Sequence, residues 1–528
     1  MKRFRCASCA LIPVVAGPPL LPTNNETYDI AVIGGGINGA GIARDAAGRG
    51  YRVFLAEQGD LAQGTSSGST KLIHGGLRYL EHYEFGLVRE ALREREVLLS
   101  IAPHIVRPLR FVLPVAAGMR PAWLIRAGLF LYDHLGGRKR LKGTRGIDLS
   151  TDPAGAALKK GATRAFEYAD CWVDDARLVV LNAVDAAARG AAIEPRTRVL
   201  RARNGDDASD RHWIVQAEDG RTGRVREVKA GVLVNAAGPW ADAVSRTVLG
   251  DNRSQRVRLV KGSHVVVPRL FDHERSYIFQ TGDGRVMFAI PYEGRFTLLG
   301  TTEVDYEGDP GEAAMSAAER DYILDIANAR FIRQTAPGDI IWSFAAVRPL
   351  VDGGDGRAQD QSRGYRIDVS KEAGAALITI TGGKITTYRK LAESVLVAVD
   401  AALGRKTGSW TGSEALPGGD FDPDGAAEET RRLAARYPFL DMAQCARLLR
   451  TYGTRAHDVL GDAREPADLG ATFSGGLTRR EVHYLREHEW ARTSEDVLWR
   501  RTKLGLFLPP EQRSKLDDLL DAGIAAGS

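Results

Sequence analysis

Tyr28-Asp29-Ile30-Ala31-Val32-Ile33-Gly34-Gly35-Gly36-Ile37-Asn38-Gly39-Ala40-Gly41-Ile42-Ala43-Arg44-Asp45 is the stretch whose reading decides the fold. Ile30 to Ile33 is a short apolar run that reads as a buried parallel strand, and the residues after the glycines follow a helical pattern. Between them the spacing Gly34-x-Gly36-x-x-Gly39 predicts a phosphate loop. Gly34 allows the tight turn, Gly36 lets backbone approach a pyrophosphate, and Gly39 lets helix pack close on strand. Gly35 and Asn38 complete the loop, and the helix N-terminus behind it faces the anion. A glycine-rich turn alone also arises for structural reasons, but here the context is present. A second strand, Tyr51 to Ala56, ends in Glu57 about 20 residues past the loop, where an acid holds a ribose hydroxyl. An acid at that place argues against a cofactor with a 2'-phosphate. FAD and NAD both satisfy the motif.

Outward from Glu57, Gly64-Thr65-Ser66-Ser67-Gly68-Ser69-Thr70-Lys71-Leu72-Ile73-His74-Gly75-Gly76-Leu77-Arg78-Tyr79-Leu80-Glu81 holds too many glycines and small polar residues for the interior of an element. Such a loop wraps an anion with hydroxyls and backbone amides, or is a plain polar surface loop. Its residues Thr65-Ser66-Ser67 and Ser69 to Glu81 resemble the signature of the FAD-dependent glycerol-3-phosphate dehydrogenases, the aerobic, membrane-associated kind. The resemblance runs from about Tyr28 to the C-terminal end. This chain departs from the family pattern in an added N-terminal tail and in Gly68 and Thr70, where serine or alanine is usual.

The resemblance implies oxidation of sn-glycerol 3-phosphate to dihydroxyacetone phosphate on FAD, with electrons passed to a membrane quinone. It also implies a peripheral place on the inner face of the cell membrane. Carried over residue by residue, Arg348 and Lys384 become substrate or phosphate ligands, with Arg78 and Tyr79 as further substrate-side groups. Holding a phosphate dianion demands arginine or lysine. His264 is the candidate base, because imidazole titrates near working pH and the residue starts a strand of the expected substrate sheet. His74 is its rival.

Two later stretches repeat the strand-to-small-residue-turn grammar of the opening one. Gly231 to Trp240 places Ala237 and Gly238 after an apolar strand, and in flavoproteins of glutathione-reductase-like architecture such a second turn lies against the dinucleotide, which favours FAD. Leu377 to Lys390 is a strand, a glycine pair and an amphipathic helix, so that a helix N-terminus points at the flavin ring. Cofactor contacts are therefore expected at Gly34, Gly35, Gly36, Asn38, Gly39, Glu57, Thr65, Ser66, Ser67, Lys71, His74, Gly75, Gly76, Ala237, Gly238, Gly382, Gly383 and Thr386.

The fold class that follows is α/β: a glutathione-reductase-like FAD-binding domain (28–256 and 352–406) with an inserted antiparallel substrate sheet (257–351), where alternation of period two replaces the earlier pattern. Within that sheet Val286 to Ile290, a turn through Gly294, and Arg295 to Leu299 predict a hairpin. A linker (411–425) then leads to a C-terminal helical domain (426–528), expected to cap the molecule, to support a homodimer and to carry no chemistry. Elsewhere Glu84 to Leu99 and Asp174 to Arg189 read as helices, the second capped by its aspartate.

Trp123 to Leu135 is also helical, with positions 123, 124, 127, 130, 131 and 135 on one apolar face and Arg138, Lys139, Arg140 and Lys142 beside it. It is either an interfacial helix with a basic flank or a core helix with a solvated loop; the resemblance favours the interface.

The chain as a whole is consistent with this. Its 528 residues are long enough for two or three domains, and an apolar fraction of 44% with 26% charged residues is ordinary for a soluble protein. A net charge of +5 is small for that length, and no basic and aromatic stripe occurs, so no nucleic-acid partner is implied. No run is long enough to span a bilayer. Cys6, Cys9, Cys171 and Cys445 are too few for a disulfide framework, which points to a reducing compartment. Residues 1–27 mix Lys2, Arg3 and Arg5 with an apolar run broken by Pro13, Pro18 and Pro19; they read as a disordered tail or a start placed too early. No metal site is expected. Competing functions are a flavin amine or amino-acid oxidase, a glycerol-3-phosphate oxidase that uses oxygen, and a non-enzymatic or RNA-modifying flavin protein.

Overall fold

The apolar run of the opening stretch forms the strand Thr27–Ile33 near the middle of a sheet, buried from Ile30 onward because its neighbours cover both faces. The computed structural model describes residues 27–115, 120–205, 211–250, 257–351, 364–370 and 374–525. The expected tail with Cys6 and Cys9 and part of the closing cofactor segment lie outside the described residues. Thr27–Ile33 pairs in parallel with Val53–Glu57 on one side and Val225–Asn235 on the other, and Val225–Asn235 pairs in parallel with Ala376–Gly382. Tyr365–Ser370 adds an antiparallel edge. Helices Ile37–Gly48, Asp175–Ala188 and Tyr388–Leu403 cover one face through Ala43, Ala46, Val179, Leu391 and Val395. The other face packs under Thr197–Asn204 and Trp213–Asp219, which bring Val199, Trp213 and Val215 against Phe54 and Leu233.

The second sheet is antiparallel around Val257–Pro268, Trp342–Val351, Phe296–Gly300, Val286–Tyr292 and Ser276–Gln280. The hairpin forms as expected, turning through Glu293 and Gly294, whose φ of 43° and 72° reverse the chain. This sheet is wider than 257–351. Val106–Pro114 pairs in parallel with Ser276–Gln280 and carries Arg164–Val173 with it, so residues expected in the cofactor domain complete the substrate sheet. The physical reason is the edge: Ser276–Gln280 would otherwise present open N–H and C=O groups.

Helix Phe85–Ile101 lies where Glu84 to Leu99 was expected, and Asp174 caps Asp175–Ala188 by accepting from Arg177 N at 3.2 Å. The stretch read as a linker is a packed strap. Leu416 is buried with its N–H on Ile101 O at 2.8 Å, and Trp410 donates from Nε1 to Asp45 O under the Arg44 guanidinium. Beyond it, helices from Ala426–Arg436 to Pro510–Ala525 build their own core around Leu448, Leu485 and Leu498. Among the described residues no helix is long and apolar enough to cross a membrane.

Candidate functional site

Three neighbouring parallel strands end in turns of small residues on the same edge, the crevice where open α/β sheets bind ligands. At the first, Gly34 has φ +111° and a Cβ there would lie 2.7 Å from Ala236 O, so only glycine lets the first and second turns touch. Gly39 faces Gly34 O at a Cβ distance of 1.9 Å, which fixes the helix directly on the loop. Gly36 precedes the helix without a capping side chain, and Ile37 N donates to Ser66 Oγ at 3.0 Å. The Glu57 carboxylate accepts from Gly35 N at 2.6 Å and Gly59 N at 2.8 Å; burial raises its pKa and these two bonds oppose the rise. At the second turn Ala237 N donates to Asn235 Oδ1 and Gly238 opens a short turn. At the third, Gly382 accepts from Asn38 Nδ2 at 3.2 Å, while Asn38 Oδ1 is buried with no hydrogen-bond partner among the described residues. Loop space at Gly36 before an uncapped helix start suits a pyrophosphate, an acid on the second strand suits a ribose hydroxyl, and the unfilled Asn38 Oδ1 suits an O–H or N–H donor of the same cofactor.

His264 and Arg348 lie on paired strands of the second sheet. His264 is 2% exposed and lies flat on Phe344, ring centroids 4.8 Å apart, with Nε2 3.0 Å from Thr70 Oγ1 and Nδ1 without a hydrogen-bond partner among the described residues. Gly300 lies across the strand pair, where a Cβ would meet the imidazole at 2.2 Å. Burial first, then the charges of Lys71 and Arg348, push the His264 pKa down to about 3. The imidazole is therefore neutral at working pH, instead of titrating there as its residue type alone suggests. Arg348 reaches Glu303 at 3.6 Å, and Lys384 sits 3.8 Å over the Tyr79 ring. A cavity lined by His74, Gly76, Arg78, Tyr79, Arg285 and Glu303 opens beside them. His74 N donates to Thr386 Oγ1 at 3.3 Å, which ties the loop to the third turn.

Two expected cofactor contacts are placed otherwise. Lys71 is 0% exposed and its ammonium is used up on Asp175 Oδ1 and Oδ2, both at 2.9 Å, and Ser67 O at 3.0 Å, so it holds the loop's shape. Gly75 N donates to Tyr132 Oη at 2.8 Å, and a Cβ there would enter Leu92, so Gly75 faces the core. Thr65 Oγ1 donates to Val347 O at 2.6 Å, joining the loop to the strand of Arg348. The sequence reading missed Thr70, Arg285, Glu303 and Phe344. Thr70, in the small-polar loop, and Glu303, after Thr301-Thr302 at a strand end, carried a turn signal; Arg285 and Phe344 carried none.

A family model described as "FAD dependent oxidoreductase" matches residues 29–389, and one described as "C-terminal domain of alpha-glycerophosphate oxidase" matches 409–522. A glycerol-3-phosphate dehydrogenase of Pseudomonas aeruginosa is 51% identical over 94% of this chain and 96% of its own length. The chain belongs to the FAD-dependent glycerol-3-phosphate dehydrogenase family. The aerobic glycerol-3-phosphate dehydrogenase of Escherichia coli is 46% identical over 94% of this chain and 97% of its own length. A D-erythritol 1-phosphate dehydrogenase of Brucella abortus is 48% identical over 94% of this chain and 98% of its own. Among solved structures, a glycerol-3-phosphate dehydrogenase from Bacillus halodurans complexed with FAD superposes with TM-score 0.74 at 28% identity, covering 96% of this chain and 91% of that one. The cofactor of this dehydrogenase family is FAD, and the cradle described above accommodates it.

Proposed function

We propose that the protein oxidises sn-glycerol 3-phosphate to dihydroxyacetone phosphate and delivers the electrons to a membrane quinone. The observation that carries this reading is a cavity lined by Arg78, Tyr79 and Glu303, with Lys384 over the Tyr79 ring and Arg348 beside Glu303. The cations hold the phosphate dianion, which fixes the carbinol carbon. FAD, when bound, supplies the hydride acceptor at its ring nitrogen N5. His264 Nδ1 takes the hydroxyl proton as the hydride leaves carbon, so the alcohol loses both hydrogens and becomes a ketone. A bound dianion offsets the charges of Lys71 and Arg348, which, after burial, hold the imidazole down, so substrate itself makes His264 a stronger base.

The acceptor and the location form the finer part of the proposal. Helix Ala122–Leu135 exposes Trp123 at 71% and Phe130 at 65%, with Leu124 and Leu131 beside them, and Lys139 and Lys142 are exposed nearby. An apolar face with a basic flank suits the headgroup region of an anionic leaflet, where a quinone is within reach. The test is anaerobic bleaching of the flavin by glycerol 3-phosphate, D-erythritol 1-phosphate and glycerol in parallel, followed by reoxidation with quinone or air. Bleaching by glycerol 3-phosphate and rapid reoxidation by quinone is expected. Preferential bleaching by the four-carbon phosphate would move the substrate to the longer polyol, and rapid reoxidation by air would make the enzyme an oxidase.

A further inference from the structure

The C-terminal helical domain reaches His264 by two routes that start on one turn. Asp496–Arg501 is a π-helical turn, a geometry common at functional positions, and Lys503 just after it is a non-glycine residue with φ +65°. The first route runs through rings. Trp499 stacks on Trp342 at 4.2 Å and 19°, with the backbone of Gly505 against it, since a Cβ there would lie 2.5 Å from the indole. Trp342 meets Phe344 at 4.7 Å, and Phe344 stacks on His264 at 4.8 Å and 13°. The second route runs through charges. Lys503 Nζ donates to Asp174 Oδ1 at 3.0 Å and to its own turn at Trp499 O at 2.8 Å. The next residue, Asp175, holds Lys71 and accepts from Ser69 Oγ at 2.7 Å. Between Ser69 and Lys71 stands Thr70, which bonds His264 Nε2. Lys71 Nζ also lies 5.0 Å over the Phe344 ring, so the two routes meet at the imidazole.

We propose that Trp499 and Lys503 are positioning residues for His264. The ring stack sets the plane of the imidazole, and the charge route sets the loop whose Thr70 holds Nε2, so that Nδ1 stays turned to the substrate. The inference rests on the reading of His264 as the base. Among the described residues Thr70 is the one hydrogen-bond partner of the ring, so further constraint on it arrives through packed neighbours.

The test uses the FAD-loaded full chain and compares Trp499→Leu, Trp499→Phe and Lys503→Met, each alone and with His264→Ala. Flavin reduction by glycerol 3-phosphate is followed by stopped flow, with FAD content and KM measured beside it. Trp499→Leu and Lys503→Met are expected to slow reduction roughly 10- to 100-fold with KM and FAD content unchanged, as small displacements of a reacting group do. Trp499→Phe keeps a ring in the stack and is expected to restore most of the rate. In the His264→Ala background neither substitution has an imidazole left to misplace, so the further loss should be less than about twofold. Equal losses in both backgrounds would overturn the proposal while leaving His264 as the base. An unimpaired His264→Ala single variant would overturn the base itself, and the proposal with it. As a readout independent of turnover, the 15N resonances of His264, assigned by their loss in His264→Ala, should shift in Trp499→Leu; unshifted resonances would count against positioning. Should Trp499→Leu not fold, Trp342→Leu breaks the same stack from the other side and must reproduce its pattern.

Discussion

An added Cβ at Gly39 would sit 1.9 Å from Gly34 O, whereas at Gly36 it would meet only Ser66 Oγ at 3.0 Å. Gly39→Ala is therefore expected to push the helix off the strand and lower the melting temperature, read by circular dichroism. Gly36→Val should leave a folded protein without yellow colour, because its side chain takes the space of the pyrophosphate and little else. Arg348→Ala removes a charge-assisted contact worth roughly 1.5–3 kcal/mol, so kcat/KM for glycerol 3-phosphate should fall about 10- to 100-fold. The preference over glycerol should fall with it; an unchanged preference would mean that another cation is the anchor. Removing the base in His264→Ala should slow flavin reduction roughly 10²- to 10⁴-fold. Because the His264 pKa is displaced to about 3 before substrate binds, kcat/KM, which reports the free enzyme, is expected to show no histidine limb between about pH 6 and 8 beyond the ionisation of the substrate phosphate near pH 6.

Stability follows the same displacement, since His104 is also pushed down to about 3, by burial and then by Arg177. The unfolded chain takes up these protons below about pH 6.5 while the folded one does not until about pH 3, so stability is complete above pH 6.5 and is lost on acidification at about 1.4 kcal/mol per pH unit for each histidine. His104→Phe should make the melting temperature less sensitive between pH 6.5 and 5.

Among the elements, helix Ala122–Leu135 is the instructive one. Its existence was legible because apolar residues recur at helical spacing, and the face at 123, 124, 127, 130 and 131 is the exposed one. The opposite face, with Leu129 and Tyr132, could not be ranked above it from hydropathy, since both are apolar. What decides is Tyr132 Oη, which bonds Asp170 at 2.8 Å and receives Gly75 N, while Arg95 pairs with Asp170 at 2.6 Å. A buried charge cluster selects the inner face. Trp123→Ala with Phe130→Ala should therefore weaken binding to anionic vesicles at low salt while flavin reduction by glycerol 3-phosphate stays unchanged. Equal sedimentation of variant and wild type with vesicles would leave the face without a membrane role.

At the scale of the molecule, the cofactor half was legible because each of its strands signs off with its own turn: Gly34 to Gly39, Ala237-Gly238, Gly382-Gly383. The second sheet was legible only in part. The pairing of Ser276 with Phe111 joins residues far apart in the chain and leaves no local mark, so the strands Val106–Pro114 and Arg164–Val173 were not read as part of this sheet. The role of the C-terminal domain was hidden for the same reason, since Arg177 meets Glu489, and Arg500 and Arg501 meet Asp60, only in the folded protein.

That last seam bears on how the protein comes apart. Asp60, Asp174 and Arg177 are buried with partners supplied from beyond residue 488, and losing one such partner while the seam stays closed would leave its charge unpaired in a dry interior at a cost of roughly 3–5 kcal/mol. The two parts are thus locked into one cooperative unit. A chain cut before Trp410 should not survive as a smaller flavoprotein, calorimetry of the whole one should trace a single endotherm, and amides of both cores should exchange their hydrogens at a common limiting rate.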